Sequence, residues 1–309
     1  MNLTTGKIRR LQQCATPEGK LVIMAMDHRD SLRRALNPQD PAAVPDEALI
    51  TFKQDVTAAL APASSAVLLD PEYGAEPCIA SGTLPGTTGL IVALERTGYT
   101  GDPAARLSEL LTGWNPLRAL QLGASGAKLL VYYHPEAPTA LEIEAVVRQT
   151  ADACARAEVP FFLEPLTYSP DPDQPRLSPE ERRLVVVETA RKLTAIPGVD
   201  ILKVEFPLDI KAEPGEAEWL AACRELDTAS HVPWVLLSAG VDIETYVRQV
   251  IAAARAGASG VAVGRAAWQG ATEQPAGERV EFLRTTARAR MARIDALCRA
   301  LAYPWHTRR

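Results

Sequence analysis

Residues 200–207 read Asp-Ile-Leu-Lys-Val-Glu-Phe-Pro, and a lysine stands in the middle of that apolar run at position 203. The chain has 33 basic residues but only seven lysines (7, 20, 53, 128, 192, 203 and 211), so arginine carries most of the positive charge. Desolvating an ammonium is costly, so a lysine held inside a strand needs a carboxylate, a polar cavity or an escape to solvent along its own stem. Both a structural and a chemical reading of Lys203 are open from this run alone.

Seven further runs have the same continuous apolar character: 21–27 (LVIMAMD), 65–70 (SAVLLD), 89–95 (GLIVALE), 128–133 (KLLVYY), 160–166 (PFFLEPL), 233–239 (PWVLLSA) and 260–265 (GVAVGR). Unbroken apolarity over so short a length marks strands covered on both faces, as in parallel sheets. Helical patterns fill the gaps at 47–61, 106–122, 141–158, 178–193, 216–230 and 244–256. An Arg- and Ala-rich stretch, 278–301, reads as one long closing helix. Ser178 followed by Pro179 and two glutamates is a strong helix start. Eight strands alternating with helices, without a linker or composition break, predict an α/β fold of the (β/α)8 TIM barrel type, one domain over residues 1–309 with a C-terminal closing helix. A doubly wound sheet is the competing fold. It is disfavoured because no G-x-G-x-x-G follows the first strand and no phosphate-binding P-loop is present.

Composition narrows the partners. A net charge of −5 gives no reason to expect nucleic acid or an anionic membrane. The five cysteines (14, 78, 154, 223 and 298) are dispersed and contain no C-x-x-C, so neither a disulfide framework nor a zinc knuckle is indicated. The opening residues lack a signal-type apolar core, and a cytoplasmic protein is expected. Four histidines (28, 134, 231 and 306), none paired at metal-ligand spacing, make a metal site unexpected. No other cofactor motif appears.

In a barrel, chemistry gathers at the C-terminal strand ends. The polar residues there are Asp27, His28 and Arg29 after the first strand, Glu95 after the third, Lys128 on the fourth and Glu164 on the fifth. The sixth carries Lys203 and Glu205. Ser238 and Gly240 follow the seventh, and Gly264 and Arg265 the eighth. Strand alternation puts Lys203 and Glu205 on one face, and Lys128 and Glu164 on neighbouring strands. Two lysines with one or two carboxylates in one lumen form either a structural network or an amine catalyst. In the second reading a neighbouring ammonium and desolvation favour a neutral amine, and Glu164 moves protons. Ser238, Gly240, Gly264 and Arg265 suit an oxyanion pocket built partly from backbone N–H groups. Arg29 suits a second anion or, equally, a salt bridge to Asp27 or Glu72. The Pro-rich stretch 168–179 is either an active-site loop or a rigid connector.

Several blocks then match a known family in order: TGK (5–7), AMDHRDSLR (25–33), FKQDV (52–56), ASSAVLLDPEYG (63–74), LERTGY (94–99), GAKLLVYYH (126–134), PFFLEPLTY (160–168), DILKVEFP (200–207), PWVLLSAGV (233–241) and AGASGVAVGRAAW (256–268). The chain resembles the class I tagatose-1,6-bisphosphate aldolases and the related sulfofructose-phosphate aldolases. The resemblance implies a Schiff-base lysine at Lys203, a proton-transfer carboxylate at Glu164 and an active-site lysine at Lys128. It also implies substrate contacts at Asp27, His28, Arg29, Ser238, Gly240, Gly264 and Arg265, no cofactor, and a homo-oligomer. The implied substrate is a phosphorylated or sulfonated ketose. Tagatose 1,6-bisphosphate is the first expectation and 6-deoxy-6-sulfofructose 1-phosphate the second. One position departs from the pattern: the family usually has Gln where this chain has His28. A sugar-phosphate-binding barrel without catalysis is the reading from another class.

Overall fold

A closed ring of eight parallel strands forms the centre of the computed structural model, which describes residues 3–212 and 215–307. In chain order the strands are β1 (Leu21–Met26), β2 (Ala66–Leu69), β3 (Gly89–Ala93), β4 (Gly126–Tyr133), β5 (Phe161–Thr167), β6 (Ile201–Val204), β7 (Trp234–Leu237) and β8 (Gly260–Val263). Each pairs with its chain neighbour, and β1 closes the ring on β8 through Leu21–Gly260 and the pairs that follow. All eight expected strands are present, and the fold is the (β/α)8 barrel.

Side-chain alternation splits the apolar residues into two clusters, which explains the unbroken runs. Val22, Met24 and Met26 of β1 join Val67, Leu69, Val92, Leu129, Val131 and Leu163 against the surrounding helices. Leu21, Ile23 and Ala25 point the other way and meet Leu68, Ile91, Phe162, Ile201, Val235 and Ala262 inside the ring. The first helix, Thr5–Cys14, lies across the lower end. It contributes Leu11 and Cys14 to the inner cluster, as does Trp305 from the C-terminal segment. Lys7 on that helix reaches Asp200 at 2.6 Å, and the same carboxylate oxygen accepts the N–H of Phe161 at 2.8 Å. The lumen is therefore filled with hydrocarbon from below, and its polar residues are confined to the upper end.

Most helices begin where the sequence marks them. Ser178 accepts the N–H of Glu181 at 3.2 Å while the Glu181 carboxylate accepts the N–H of Ser178 at 2.8 Å, a reciprocal cap on Pro179–Thr194. Asp242 caps Ile243–Ala256 in the same sense, accepting from Thr245 at 3.0 Å. One expectation is corrected. The span 106–122 is not one helix: Ala105–Leu107 pairs with Thr100–Asp102 in a hairpin, and only Pro116–Gln121 is helical. Gly113 at φ +78° and Asn115, which caps the short helix, interrupt the pattern. The closing helix is continuous from Ala276 to Leu301 and contains one wider, π-helical turn at Leu283–Ala287. Asp30–Leu36 and Arg265–Trp268 are helices the sequence reading did not place.

Candidate active site

The two longest barrel strands, β4 and β5, carry the first two polar groups of the lumen. Lys128 of β4 is fully buried, and its Nζ lies 2.7 Å from Glu164 Oε2 of β5. The same ammonium is 2.6 Å from Glu95 Oε1 and 2.8 Å from Asp27 Oδ2. Lys203 of β6 donates to Glu164 Oε2 at 2.8 Å, so one carboxylate oxygen stands between two lysines. Burial opposes every charge in this group, but the mutual attractions win. Lys128 is held well above the usual lysine range by Asp27, Glu164 and Glu95. Asp27 is held well below the carboxylate range by Lys128 and Lys203, and Glu164 is lowered by the same two ammoniums.

This corrects the expected charge count. Three carboxylates, not one or two, face the lysines, and they hold Lys128 as the neighbouring ammonium. Glu95 went unassigned in the sequence although a signal was present: it continues the inward alternation of Ile91 and Ala93. Its second oxygen accepts the N–H of Leu130 at 3.1 Å, which ties it to β4. Glu205 lines the same cavity as Lys203 but makes its bonds at the strand end rather than to that lysine. There it accepts the backbone N–H and hydroxyl of Thr167 at 2.8 and 2.9 Å and pairs with Arg182 at 3.2 Å.

Above the lysines opens a cavity of about 740 Å³, lined by residues of nearly every strand end. On its β7–β8 side Ser238, Ala239 and Gly240 form a tight turn in which Ala239 (φ +46°) and Gly240 (φ +76°) are both left-handed. A non-glycine residue there is strained, as at many ligand sites. The Arg265 guanidinium lies so close over Gly240 that a Cβ there would sit 2.9 Å from Cζ. Arg265 has no carboxylate partner among the described residues, and burial pulls its pKa below the usual value. One expected donor is already taken: the N–H of Gly264 points to Ser238 Oγ at 3.2 Å. The Ser238 hydroxyl hydrogen is thereby left for another acceptor.

Arg29 takes the opposite direction. It is buried, and its guanidinium donates to the carbonyl of Glu95, after β3, at 2.5 Å. Neither Asp27 nor Glu72 is its salt-bridge partner, and no other described carboxylate is. Since β3 and β7 are four steps apart in a ring of eight, the two arginines reach toward opposite sides of the mouth. The lining also includes Arg34, Arg96 and Tyr99, which depend on loop paths, and Tyr132, which continues the inward alternation of Lys128 and Leu130 on β4. The stretch 168–179 does not line this cavity. Its residues, with His134 and Glu181, border a separate hollow of about 380 Å³. Tyr168 is buried and, with Tyr99 and Tyr132, surrounds the Arg106 guanidinium of the hairpin.

His28 lies between these groups, edge-on to Trp268 with ring centroids 5.1 Å apart. Burial lowers its pKa to about 4, against Asp27 and assisted by Arg265, Lys203 and Lys53. A histidine whose folded pKa is depressed below 6.5 takes up its proton more readily when unfolded, so its contribution to stability is complete above pH 6.5 and lost as pH falls toward 4. His28→Gln should therefore flatten the stability profile in that window by up to one proton, about 1.4 kcal/mol per pH unit. Urea denaturation at several pH values measures this, and unchanged slopes would count against a neutral His28.

Among the described residues no group of three His, Cys, Asp or Glu side chains could hold a metal ion. No helix among them is long and apolar enough to cross a membrane.

Residues 21–270 match the family model described as DeoC/LacD family aldolase. Tagatose 1,6-diphosphate aldolases of Staphylococcus aureus, strains JH9 and Newman among them, are 32% identical over 332 aligned positions that span 100% of this chain and 100% of each relative. Among solved structures, an archaeal fructose 1,6-bisphosphate aldolase has a TM-score of 0.62 at 20% identity, covering 94% of this chain and 99% of that one. Fructose-bisphosphate aldolase from Plasmodium falciparum has a TM-score of 0.76 at 15% identity, covering 98% of both chains. At those identities the structural likeness speaks for the fold.

Proposed function

The chain belongs to the DeoC/LacD family of aldolases, and from that premise we propose that it is a class I enzyme cleaving a ketose with an anionic group at each end. The observation that carries the reading is the pair of carboxylate-free arginines, Arg29 and Arg265, on opposite sides of a cavity whose floor presents Lys203. A buried guanidinium without a counter-charge is an anion site awaiting its ligand. Arg265, Ser238 and Gly240 take the phosphate near the reacting carbonyl, and Arg29 takes the far anion.

The chemistry follows from the contacts of Glu164. Lys203 passes a proton to the Glu164 oxygen 2.8 Å away, and the neutral amine attacks the C2 carbonyl, forming the C–N bond of a carbinolamine. Glu164 returns that proton to the departing hydroxyl, water leaves, and a protonated imine remains. Glu164, again a carboxylate, accepts the C4 hydroxyl proton as the C3–C4 bond breaks and its electrons enter the imine. An aldehyde leaves and an enamine stays on Lys203. Protonation at C3 and hydrolysis release dihydroxyacetone phosphate and restore the amine. Lys128, permanently charged, offsets the negative charge that gathers on oxygen during these transfers.

Tagatose 1,6-bisphosphate, giving glyceraldehyde 3-phosphate as the second product, is the substrate best supported by the 32% identical relatives. A sulfonate at the far end, as in 6-deoxy-6-sulfofructose 1-phosphate, is the other anion Arg29 would accept. A panel of tagatose 1,6-bisphosphate, fructose 1,6-bisphosphate, the sulfonated ketose and a ketose 1-phosphate tests the reading. The doubly anionic substrates should exceed the 1-phosphate in kcat/KM by at least about tenfold, the scale of one charge-assisted hydrogen bond. Arg29→Met should erase that margin while sparing the 1-phosphate. Equal rates for single and double anions in the wild type would refute the two-anion proposal.

A further inference from the structure

We propose that Arg106 is a positioning residue for the aldehyde half of the substrate: from outside the cavity it holds Tyr99 and Tyr132 as the wall against which that half lies. This role rests on the imine chemistry and anion placement proposed above, and it adds a specificity determinant that touches neither anion.

The residues meet because the chain makes a hairpin after β3. Past Glu95 it leaves the barrel through Thr100–Asp102 and returns through Ala105–Leu107. The base of this hairpin is well tied. Arg96 donates its backbone N–H to the Glu109 carbonyl at 2.8 Å, and its guanidinium pairs with the Glu109 carboxylate at 2.9 Å. Ser108 accepts the N–H of Tyr132, on β4, at 3.0 Å. The tip is different: Gly101, Asp102 and Pro103 are exposed. Arg106 anchors it.

The Arg106 guanidinium lies 4.5 Å from the centre of the Tyr99 ring, 5.3 Å from that of Tyr132 and 4.5 Å from that of Tyr168. Its Nε donates to the Pro103 carbonyl at 2.9 Å, and its backbone N–H donates to the Tyr168 hydroxyl at 3.3 Å. One cation thus joins tyrosines from three places: Tyr99 after β3, Tyr132 on β4 and Tyr168 just past β5. A planar guanidinium can stack on rings while its edge still donates hydrogen bonds. Tyr99 and Tyr132 also meet edge to face, with centroids 5.1 Å apart.

Tyr99 and Tyr132 line the main cavity, whereas Arg106 and Tyr168 are not among its lining residues. The arginine therefore backs the wall rather than forming it. Its place selects the half of the substrate it serves. With the carbonyl at Lys203 and the adjacent phosphate at Arg265, the far anion lies at Arg29, whose guanidinium is bonded to the Glu95 carbonyl at the foot of the hairpin. The carbons that leave as the aldehyde then pass along the β3–β4 side, beside Tyr99 and Tyr132. Dihydroxyacetone phosphate, held at Lys203 and Arg265, stays clear of it.

The condensation direction separates the two halves. Borohydride trapping at Lys203 reads half-saturation by dihydroxyacetone phosphate. Steady-state rates read the KM of the aldehyde, either glyceraldehyde 3-phosphate or its sulfonated analogue, whichever the wild type uses better. Arg106→Met should raise the aldehyde KM at least about tenfold, the scale of two lost cation–π contacts, and leave dihydroxyacetone phosphate half-saturation within about twofold of wild type. Tyr99→Ala, at an exposed hairpin position, should raise the aldehyde KM at least about fivefold and spare dihydroxyacetone phosphate equally. It carries the test if a thermal melt shows Arg106→Met unfolded. An unchanged aldehyde KM in the folded variant, or equal losses for both ligands, would overturn this inference and leave the imine chemistry standing. Absence of any adduct at Lys203 in the wild type would overturn both.

Discussion

Lys203→Met should abolish turnover of every ketose phosphate, lowering kcat by about five to six powers of ten, the scale for losing the nucleophile of a cooperative catalytic unit. The substitution replaces one unbranched chain of similar length by another in a site that is already largely apolar below the ammonium. Glu164 keeps Lys128 at 2.7 Å, so no buried carboxylate is stranded and the fold should survive. Steady-state assay coupled to triose phosphate production, beside a thermal melt, measures both. A folded variant retaining a tenth or more of wild-type kcat would be incompatible with an amine mechanism.

Glu164→Gln should lower kcat by about 10² to 10⁴, the usual worth of a positioned general acid–base, while a Lys203 imine still forms slowly. The amide fills the same space and can still accept from Lys203 or Lys128, so the geometry is kept and only the proton carrier is lost. Lys128 retains Asp27 and Glu95 and stays charged. Single-turnover trapping separates imine formation from carbon–carbon cleavage. Undiminished cleavage in this variant would assign the proton transfers to another group, with Asp27 the nearest.

The barrel was legible because each strand is buried on both faces, which turns alternation into unbroken apolar runs such as Leu21–Met26. A charge inside such a run stands out, and Lys128, Glu164 and Lys203 were found that way. The rest depends on the paths of loops. The span 106–122 has helix-forming residues, but the hairpin at Thr100–Asp102 and the packing of Arg106 among three tyrosines override them. The closing helix follows its propensity throughout and only widens to a π-helical turn where Leu283 and Ala287 enter the core.

The site shows the same division. Asp27, Lys128, Glu164 and Lys203 meet within hydrogen-bonding distance in the lumen, as their strand positions implied. Glu95 was reachable by the same alternation argument. The neutrality of His28 was not, because it follows from Trp268 and Gly264 packing around the ring and from three cations nearby. Sequence also could not show that Ser238 occupies the Gly264 N–H, which leaves Arg265 and the Ser238 hydroxyl as donors on that side of the cavity.

The central claim is that Lys203 is the amine that captures the substrate. Borohydride reduction in the presence of dihydroxyacetone phosphate, followed by mass analysis of proteolytic peptides, tests it directly. The account predicts one added ligand per chain on the peptide containing Lys203, and none on the peptide containing Lys128, whose proton is held by three carboxylates. An adduct on Lys128, or full activity with no adduct on either lysine, would contradict it.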